Sequence, residues 1–206
     1  MWRIGLTGSI ATGKSTVLEA FLALGVPVFS ADAAVAELYA GEAVAPVTEL
    51  FPDVAPEGVI DRALLSQRLQ AEPEKFKPLE AVVHPLVRAK LAKFLDEAEA
   101  AGHALAVAEI PLLFEGGHDY GFDAVAVTWV DEAVQRERAL ARPGMTVEKL
   151  EAILARQLPQ VEKKARATYT FDTGTSPEFV REMVAALVAA IRAQGPGPKE
   201  DQNNEP

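Results

Sequence analysis

The sequence predicts an α/β fold, a three-layer α/β/α arrangement around a parallel sheet of about five strands. Three observations carry that expectation. Short apolar runs recur at 1–7, 26–29, 104–108, 124–130 and 168–171, and helix-length segments separate them, as parallel βαβ crossovers require. Between 41 and 85 the alternation stops, and Pro46, Pro52, Pro56, Pro73 and Pro78 punctuate short helical pieces, which reads as a helical insertion between strands two and three. A second interruption, rich in arginine, precedes the last strand. We therefore expect one domain over 1–193: a core of about 1–40, 86–134 and 160–193, a helical insertion at about 41–85, a lid at about 135–159, and a flexible tail over 194–206.

Composition narrows the classes. At 206 residues and 49% hydrophobic content the chain can bury a substantial core. It has no cysteine, so disulfide frameworks and thiolate metal sites are excluded. A formal net charge of −10 argues against a general nucleic-acid binder, whose affinity would rest on a basic face. No stretch has the length of a membrane span, and the chain enters a strand at once without a charged leader. The expectation is a cytoplasmic protein with no nucleic-acid or membrane partner, as a monomer or weak homo-oligomer.

The first strand ends in Gly8-Ser9-Ile10-Ala11-Thr12-Gly13-Lys14-Ser15-Thr16, a P-loop in its strand-loop-helix context. A phosphate chain is best held by several backbone N–H groups at once, and a turn bounded by Gly8 and Gly13 lets the backbone wrap that closely through Ala11 and Thr12. Lys14 supplies a charge to the β- and γ-phosphates, Ser15 a hydroxyl for Mg²⁺, and Thr16 stands near the α-phosphate at a helix start. The ligand implied is ATP with Mg²⁺. Val17, Leu18, Phe21, Leu22 and Leu24 give the following helix its apolar spacing, and Gly25 closes it.

After the second strand, Ser30-Ala31-Asp32 opens a helix running to about Tyr39. Asp32 stands at a strand's carboxyl end, where doubly wound sheets bind ligands. Its carboxylate is either a base for an attacking hydroxyl or a helix cap. In the insertion, Asp61-Arg62 marks a helix start, and His84-Pro85 precedes a longer helix; Arg62 is a ligand group or a solvated surface residue, and His84 a ligand group or a residue kept out of helix by Pro85. The third strand ends in Glu109, in the manner of a Walker-B carboxylate that reaches Mg²⁺ through water. Pro111-Leu112-Leu113-Phe114-Glu115 follows, with Glu115 a second carboxylate there or the cap of the next turn.

Between Gln135 and Arg166 the charge inverts, with eight Lys and Arg residues against four Glu. Arg138 and Arg142, four apart, would share a helix face and close over a phosphate; a salt-laced surface hairpin is the other reading. Pro143-Gly144 breaks that helix, Thr146 can cap the next, and Ser176-Pro177-Glu178 starts the last.

These motifs resemble the dephospho-coenzyme A kinase family over about residues 2–174. The resemblance rests on the phosphate loop, Ala31-Asp32, Gly58-Val59-Ile60-Asp61-Arg62, Leu79-Glu80 with His84-Pro85, the 111–115 run, Gln135 with Arg138 and Arg142 as a Gln-x-x-Arg-x-x-x-Arg lid motif, and Gln157-Leu158-Pro159. Neither the DxxG element nor the guanine-reading loop of a GTPase is present. The chain departs from the family pattern at Ile153, where an arginine is usual and Arg156 lies nearby, at Ala167-Thr168, and at Asp172-Thr173, where Asp-Asn is usual. The resemblance implies a kinase that phosphorylates the 3′-hydroxyl of the ribose of dephospho-CoA. It further implies Asp32 as the base, Lys14, Arg138 and Arg142 as charge stabilisers, and Arg62, His84 and Glu115 as acceptor-binding groups.

Overall fold

In the computed structural model, residues 1–195 and residue 197 are described. The expected tail lies outside them except for Gln194, which ends the last helix, and the glycines at 195 and 197. The strands are β1 (Trp2–Gly8), β2 (Val28–Ser30), β3 (Leu105–Glu109), β4 (Ala124–Trp129) and β5 (Tyr169–Asp172). They form one five-stranded sheet in the order β2-β3-β1-β4-β5, and β1 is parallel to both of its neighbours, as β4 is to β5. The expected α/β architecture is present.

That order fixes where a ligand can sit. From β1 the chain turns towards β2 on one side of the sheet; from β4 it turns towards β5 on the other. Adjacent strands whose connections diverge leave a crevice at their carboxyl ends. β1 and β4 are such a pair, in register from Ile4↔Ala124 to Gly8↔Thr128. The phosphate loop leaves one and the arginine-rich segment leaves the other.

The helices are α1 (Lys14–Ala23), α2 (Ala31–Tyr39), α3 (Val44–Leu50), α4 (Arg62–Ala71), α5 (Phe76–Ala100), α6 (Glu132–Leu140), α7 (Val147–Leu154), α8 (Gln160–Arg166) and α9 (Pro177–Gln194). Local chemistry starts and stops them. Ser30, Asp61, Asp131, Thr146 and Ser176 each accept a first-turn backbone N–H at the N-terminus of their helix. At the end of α1 the N–H groups of Gly25 and Val26 donate to Leu22 O and Phe21 O at 3.0 and 3.2 Å; Gly25 takes the φ of +71° that this Schellman closure needs.

The chain forms two compact units, one of Met1–Val28 with the chain from Glu97 onward, the other Phe29–Asp96. In the first, Ile4, Leu6, Phe21, Phe171, Val184 and Val188 belong to one buried core between the sheet and helices α1 and α9. Phe21 meets Phe171 edge to face, centroids 6.1 Å apart, and burying a phenylalanine of this kind contributes roughly 1.5–3 kcal/mol. Leu22 is 58% exposed, so the apolar face of α1 is narrower than its sequence suggests.

In the second unit, α5 begins nine residues before Pro85 and runs through it without a break. His84 is therefore an exposed mid-helix residue, not one kept out of helix. Leu79, Val83, Val87, Leu91 and Leu95 recur every fourth residue and are all buried. Their burial, roughly 1.5–3 kcal/mol each, outweighs the ~3 kcal/mol that an interior proline costs.

Candidate active site

The phosphate loop is held in shape from within and from outside. Gly8 is the only residue type its position admits: a Cβ there would lie 2.2 Å from Thr128 Oγ1 and 2.7 Å from Thr12 Oγ1. Those two hydroxyls are 2.7 Å apart, and Thr12 also donates to Ser9 O at 2.9 Å. Lys14 Nζ bends back over the loop to Gly8 O and Ser9 O at 3.1 and 3.3 Å, at the mouth of the cradle. Gly13, the N-cap of α1, takes the left-handed φ of +77° that the turn requires before the helix begins at Lys14. Ser15 and Thr16 lie in the first turn of α1, and the Ser15 hydroxyl is exposed.

Ala11 also has a left-handed φ, +59°, which costs a non-glycine residue roughly 1–2 kcal/mol. Packing offsets it: Ala11 is buried in a small cluster with Ala139 of α6 and Leu150 of α7, with Ile10, Met145 and Leu154 against it. The arginine-bearing hairpin thus sits directly on the loop.

Glutamines complete that junction. Gln135, 3% exposed, donates from Nε2 to Ile10 O at 2.8 Å, while Gln157 Oε1 accepts the N–H of Ile10 at 3.0 Å. Gln160 Nε2 donates to Gln135 Oε1 at 2.8 Å, and Gln160 Oε1 accepts from Val130 N at 3.1 Å. Both peptide groups of Ile10 are therefore gripped by the segment between β4 and β5.

Arg138, in the last turn of α6, reaches Thr173 through NH2 to the carbonyl at 2.9 Å and NH1 to Oγ1 at 3.3 Å. Arg142 lies beyond the helix, which ends at Leu140, so the shared helical face expected of the two arginines does not extend to it. Glu109 ends β3 opposite Leu6 and is 7% exposed. Glu115 accepts the Leu158 N–H at 2.8 Å and pairs at 2.8 Å with Lys163, which is wholly buried. Lys163 Nζ and Glu115 Oε2 are both buried, and the 2.8 Å approach of Lys163 Nζ to Glu115 Oε1 makes this a close ion pair. Burial alone would raise the Glu115 carboxyl; Lys163 and the Leu158 N–H outweigh it and hold it below the ordinary glutamate range.

In the other unit, Ser30 Oγ accepts the Ala33 N–H at 3.4 Å and so caps α2. The Asp32 carboxylate is exposed and makes no hydrogen bond or ion pair among the described residues. Capping is thus done by Ser30. Arg62 places NH2 at 3.5 Å from the Asp32 carbonyl, with its guanidinium 5.7 Å from the centre of the Tyr39 ring. Burial raises the Tyr39 phenol, and Arg62 opposes that in part.

A family model described as CoaE, dephospho-CoA kinase, matches residues 2–178. The chain belongs to the dephospho-CoA kinase family. It is 51% identical over 190 residues to the dephospho-CoA kinase of Rhizobium meliloti (strain 1021), covering 92% of this chain and 98% of the relative. With that of Rhodopseudomonas palustris (strain HaA2) it shares 47% over 187 residues, 91% and 94% of the two chains. Among solved structures it is similar to TT1252 from Thermus thermophilus, with a TM-score of 0.77 at 34% identity over 92% of this chain and 97% of that one. The dephospho-CoA kinase from Campylobacter jejuni gives 0.65 at 26% identity over 92% and 96%. As a member of the dephospho-CoA kinase family the chain is a kinase.

The donor set suits MgATP. Among the described residues no three His, Cys, Asp or Glu side chains gather as a metal cage. Mg²⁺ characteristically keeps its waters and takes one or two protein oxygens plus substrate phosphates, which the Ser15 hydroxyl and a buried strand-end carboxylate at Glu109 can provide. Several participants carried no assigned role in the sequence: Thr128, Gln160, Lys163, Thr173 and Tyr39. Gln135 and Gln157 stood out only as family motif positions, and Thr173 only as a departure. Lys163 counted there as one more cation, and no local pattern marks it as buried.

Proposed function

We propose that this chain transfers the γ-phosphoryl group of ATP to the 3′-hydroxyl of the ribose of dephospho-CoA, giving CoA and ADP. One observation carries the reading: in a chain of this family, the phosphate loop and the arginine-bearing segment are joined at Ile10 by Gln135 and Gln157. A phosphoryl transferase needs that junction, since its work is mostly positioning and charge stabilisation.

Bound MgATP supplies the phosphoryl group and a metal charge that neutralises its oxygens. The N–H groups from Ala11 to Thr16 and the dipole of α1 hold the phosphates. Lys14 exchanges its carbonyl partners for β- and γ-oxygens. Ser15 and Glu109 would hold Mg²⁺ when it is bound with ATP, and its charge would offset that of the phosphate oxygens. Asp32, following β2 as the phosphate loop follows β1, accepts the proton of the 3′-hydroxyl as its oxygen bonds to phosphorus and the bond to the β–γ bridging oxygen breaks. Arg138 and Arg142 stabilise the charge on the transferring group and exclude water when the 135–159 lid closes. Arg62, His84 and Glu115 hold the acceptor.

No helix among the described residues is long and apolar enough to cross a membrane. The enzyme is proposed to act in the cytoplasm on a small anionic substrate, without a nucleic-acid partner, as a monomer or weak homo-oligomer. The test is ADP release by the purified chain with MgATP and dephospho-CoA, AMP, CMP or no acceptor. ADP and CoA formed only with dephospho-CoA is the expected result. Preferential turnover of a nucleoside monophosphate, or none with any acceptor, overturns the assignment.

A further inference from the structure

The hydroxyl of Thr173 lies where three parts of the nucleotide site meet. Its own N–H extends the β4–β5 ladder by bonding Trp129 O at 3.0 Å, so the residue is fixed by the sheet, and it is 5% exposed. Its Oγ1 donates to Thr12 O of the phosphate loop at 3.0 Å and accepts from Arg138 NH1 at 3.3 Å, while its carbonyl accepts from Arg138 NH2 at 2.9 Å. Gly13 is flush against it: a Cβ on Gly13 would lie 2.9 Å from both Cβ and Oγ1 of Thr173. A hydroxyl has one proton and two lone pairs. Donation to Thr12 O therefore leaves acceptor capacity that suits a guanidinium.

We infer that Thr173 is a positioning residue for phosphoryl transfer, whose hydroxyl ties the Arg138 guanidinium to the phosphate loop. The inference rests on Arg138 acting on the transferring group, as proposed above. A guanidinium offers five N–H donors in a planar fork. Thr173 engages two, one on each terminal nitrogen, which leaves three to meet phosphoryl oxygens from a side chain already oriented. Orientation before reaction is what makes such a donor effective, because no reorganisation is then needed as charge develops. Because the same hydroxyl bonds Thr12 O, the arginine takes its position from the loop that holds the phosphates rather than from α6 alone.

The test is a cycle of four proteins: parent, T173V, R138A and the double variant. Valine keeps the shape of threonine and removes the hydroxyl's bonds to Arg138, to Thr12 O and, at 3.4 Å, to Trp129 O. T173V is expected to lower kcat about tenfold, the scale of losing one charge-assisted hydrogen bond while the carbonyl anchor remains, with KM for ATP within about threefold of the parent. T173S should restore kcat to within about threefold, and the double variant should be no slower than R138A within about twofold. Parent-like kcat in T173V, or independent multiplying losses in the double variant, overturns the inference. T173A takes the place of valine if T173V does not fold. The same cycle read as Tm needs no turnover: sub-additive losses support the anchoring and additive losses overturn it. A parent that makes no CoA would overturn the reaction assigned above, and the Tm cycle would still decide the role of Thr173.

Discussion

Around Ile10, both peptide groups, the Thr12 hydroxyl and the Arg138 guanidinium each have a fixed protein partner. In the unit from Phe29 to Asp96, by contrast, Asp32 and His84 are exposed and make no side-chain hydrogen bond among the described residues. The difference matches the roles proposed for the two regions. A loop that must present several N–H groups to a highly charged phosphate chain gains by having its remaining polar groups satisfied beforehand, since reorganisation during the reaction would raise the barrier. A carboxylate that must take a proton from an incoming hydroxyl is useful only if nothing else holds it. Ser30, not Asp32, caps α2, which leaves the Asp32 carboxylate unengaged, as the proposed role of base requires.

Breaking the acceptor side should have the largest effect on rate. Asp32→Asn keeps the shape and removes the basicity, and kcat should fall by ~10² to 10⁴, the usual contribution of a positioned base. KM for ATP should stay within about threefold. Ser30→Ala sharpens the contrast: losing a cap costs about 1 kcal/mol of stability, seen as a lower urea midpoint, with kcat close to the parent's. A turnover loss in Ser30→Ala as large as that in Asp32→Asn would mean the two residues act together and that the division between cap and base is wrong.

Next in size is the charge pair under the phosphate-loop side. Lys163→Met leaves Glu115 as a buried carboxylate without its cation, and removing one partner of a buried pair costs about 3–5 kcal/mol. Urea unfolding of the two proteins measures it. The pH dependence has a definite sign. Because the folded-state pKa of Glu115 is held below the ordinary value, its contribution is complete above about pH 4.3 and disappears as pH falls through the lower folded value. The stability gap between parent and Lys163→Met should therefore narrow as the pH falls through the carboxylate range, starting where Glu115 in the variant, no longer held down by Lys163, takes up its proton. A gap constant from pH 7 to 3 would show that Lys163 acts by packing alone.

Gln135→Leu tests the grip on Ile10 with less at stake. It leaves Ile10 O and Gln160 Nε2 without their present partners, about 1–3 kcal/mol for a buried polar group left unpaired. KM for ATP should rise by roughly tenfold, with KM for the acceptor little changed. A larger rise for the acceptor would place the glutamine chain on the wrong side of the comparison.

The two sides also differ in how far the sequence revealed them. The phosphate loop is legible because its chemistry is local: Gly8, Gly13, Lys14 and Ser15 stand within eight residues, and the caps at Ser30, Thr146 and Ser176 can be read by the same logic. What escaped is long-range. Thr173 meets Arg138 only through the β4–β5 register, and in the sequence a Thr where the family pattern has Asn marks only a departure. Lys163 has an ordinary helical setting, and only the packing of α8 buries it. Pro85 misled for a related reason: its local preference to end a helix is real, but the buried stripe from Leu79 to Leu95 outweighs it.

The smallest effect should come from His84→Ala, and it bears on whether the open side extends along α5. His84 is exposed and mid-helix, and alanine is the better helix former by roughly half a kcal/mol, so a purely structural histidine would give a slightly more stable protein with unchanged kinetics. If His84 helps to hold the acceptor, KM for dephospho-CoA should instead rise about three- to tenfold, with KM for ATP and kcat nearly as in the parent. The stability gain is expected in both cases, because it depends on the helix alone. Unchanged acceptor KM together with a raised Tm would remove His84 from the site and leave Asp32 and Arg62 as the acceptor-side groups of that unit.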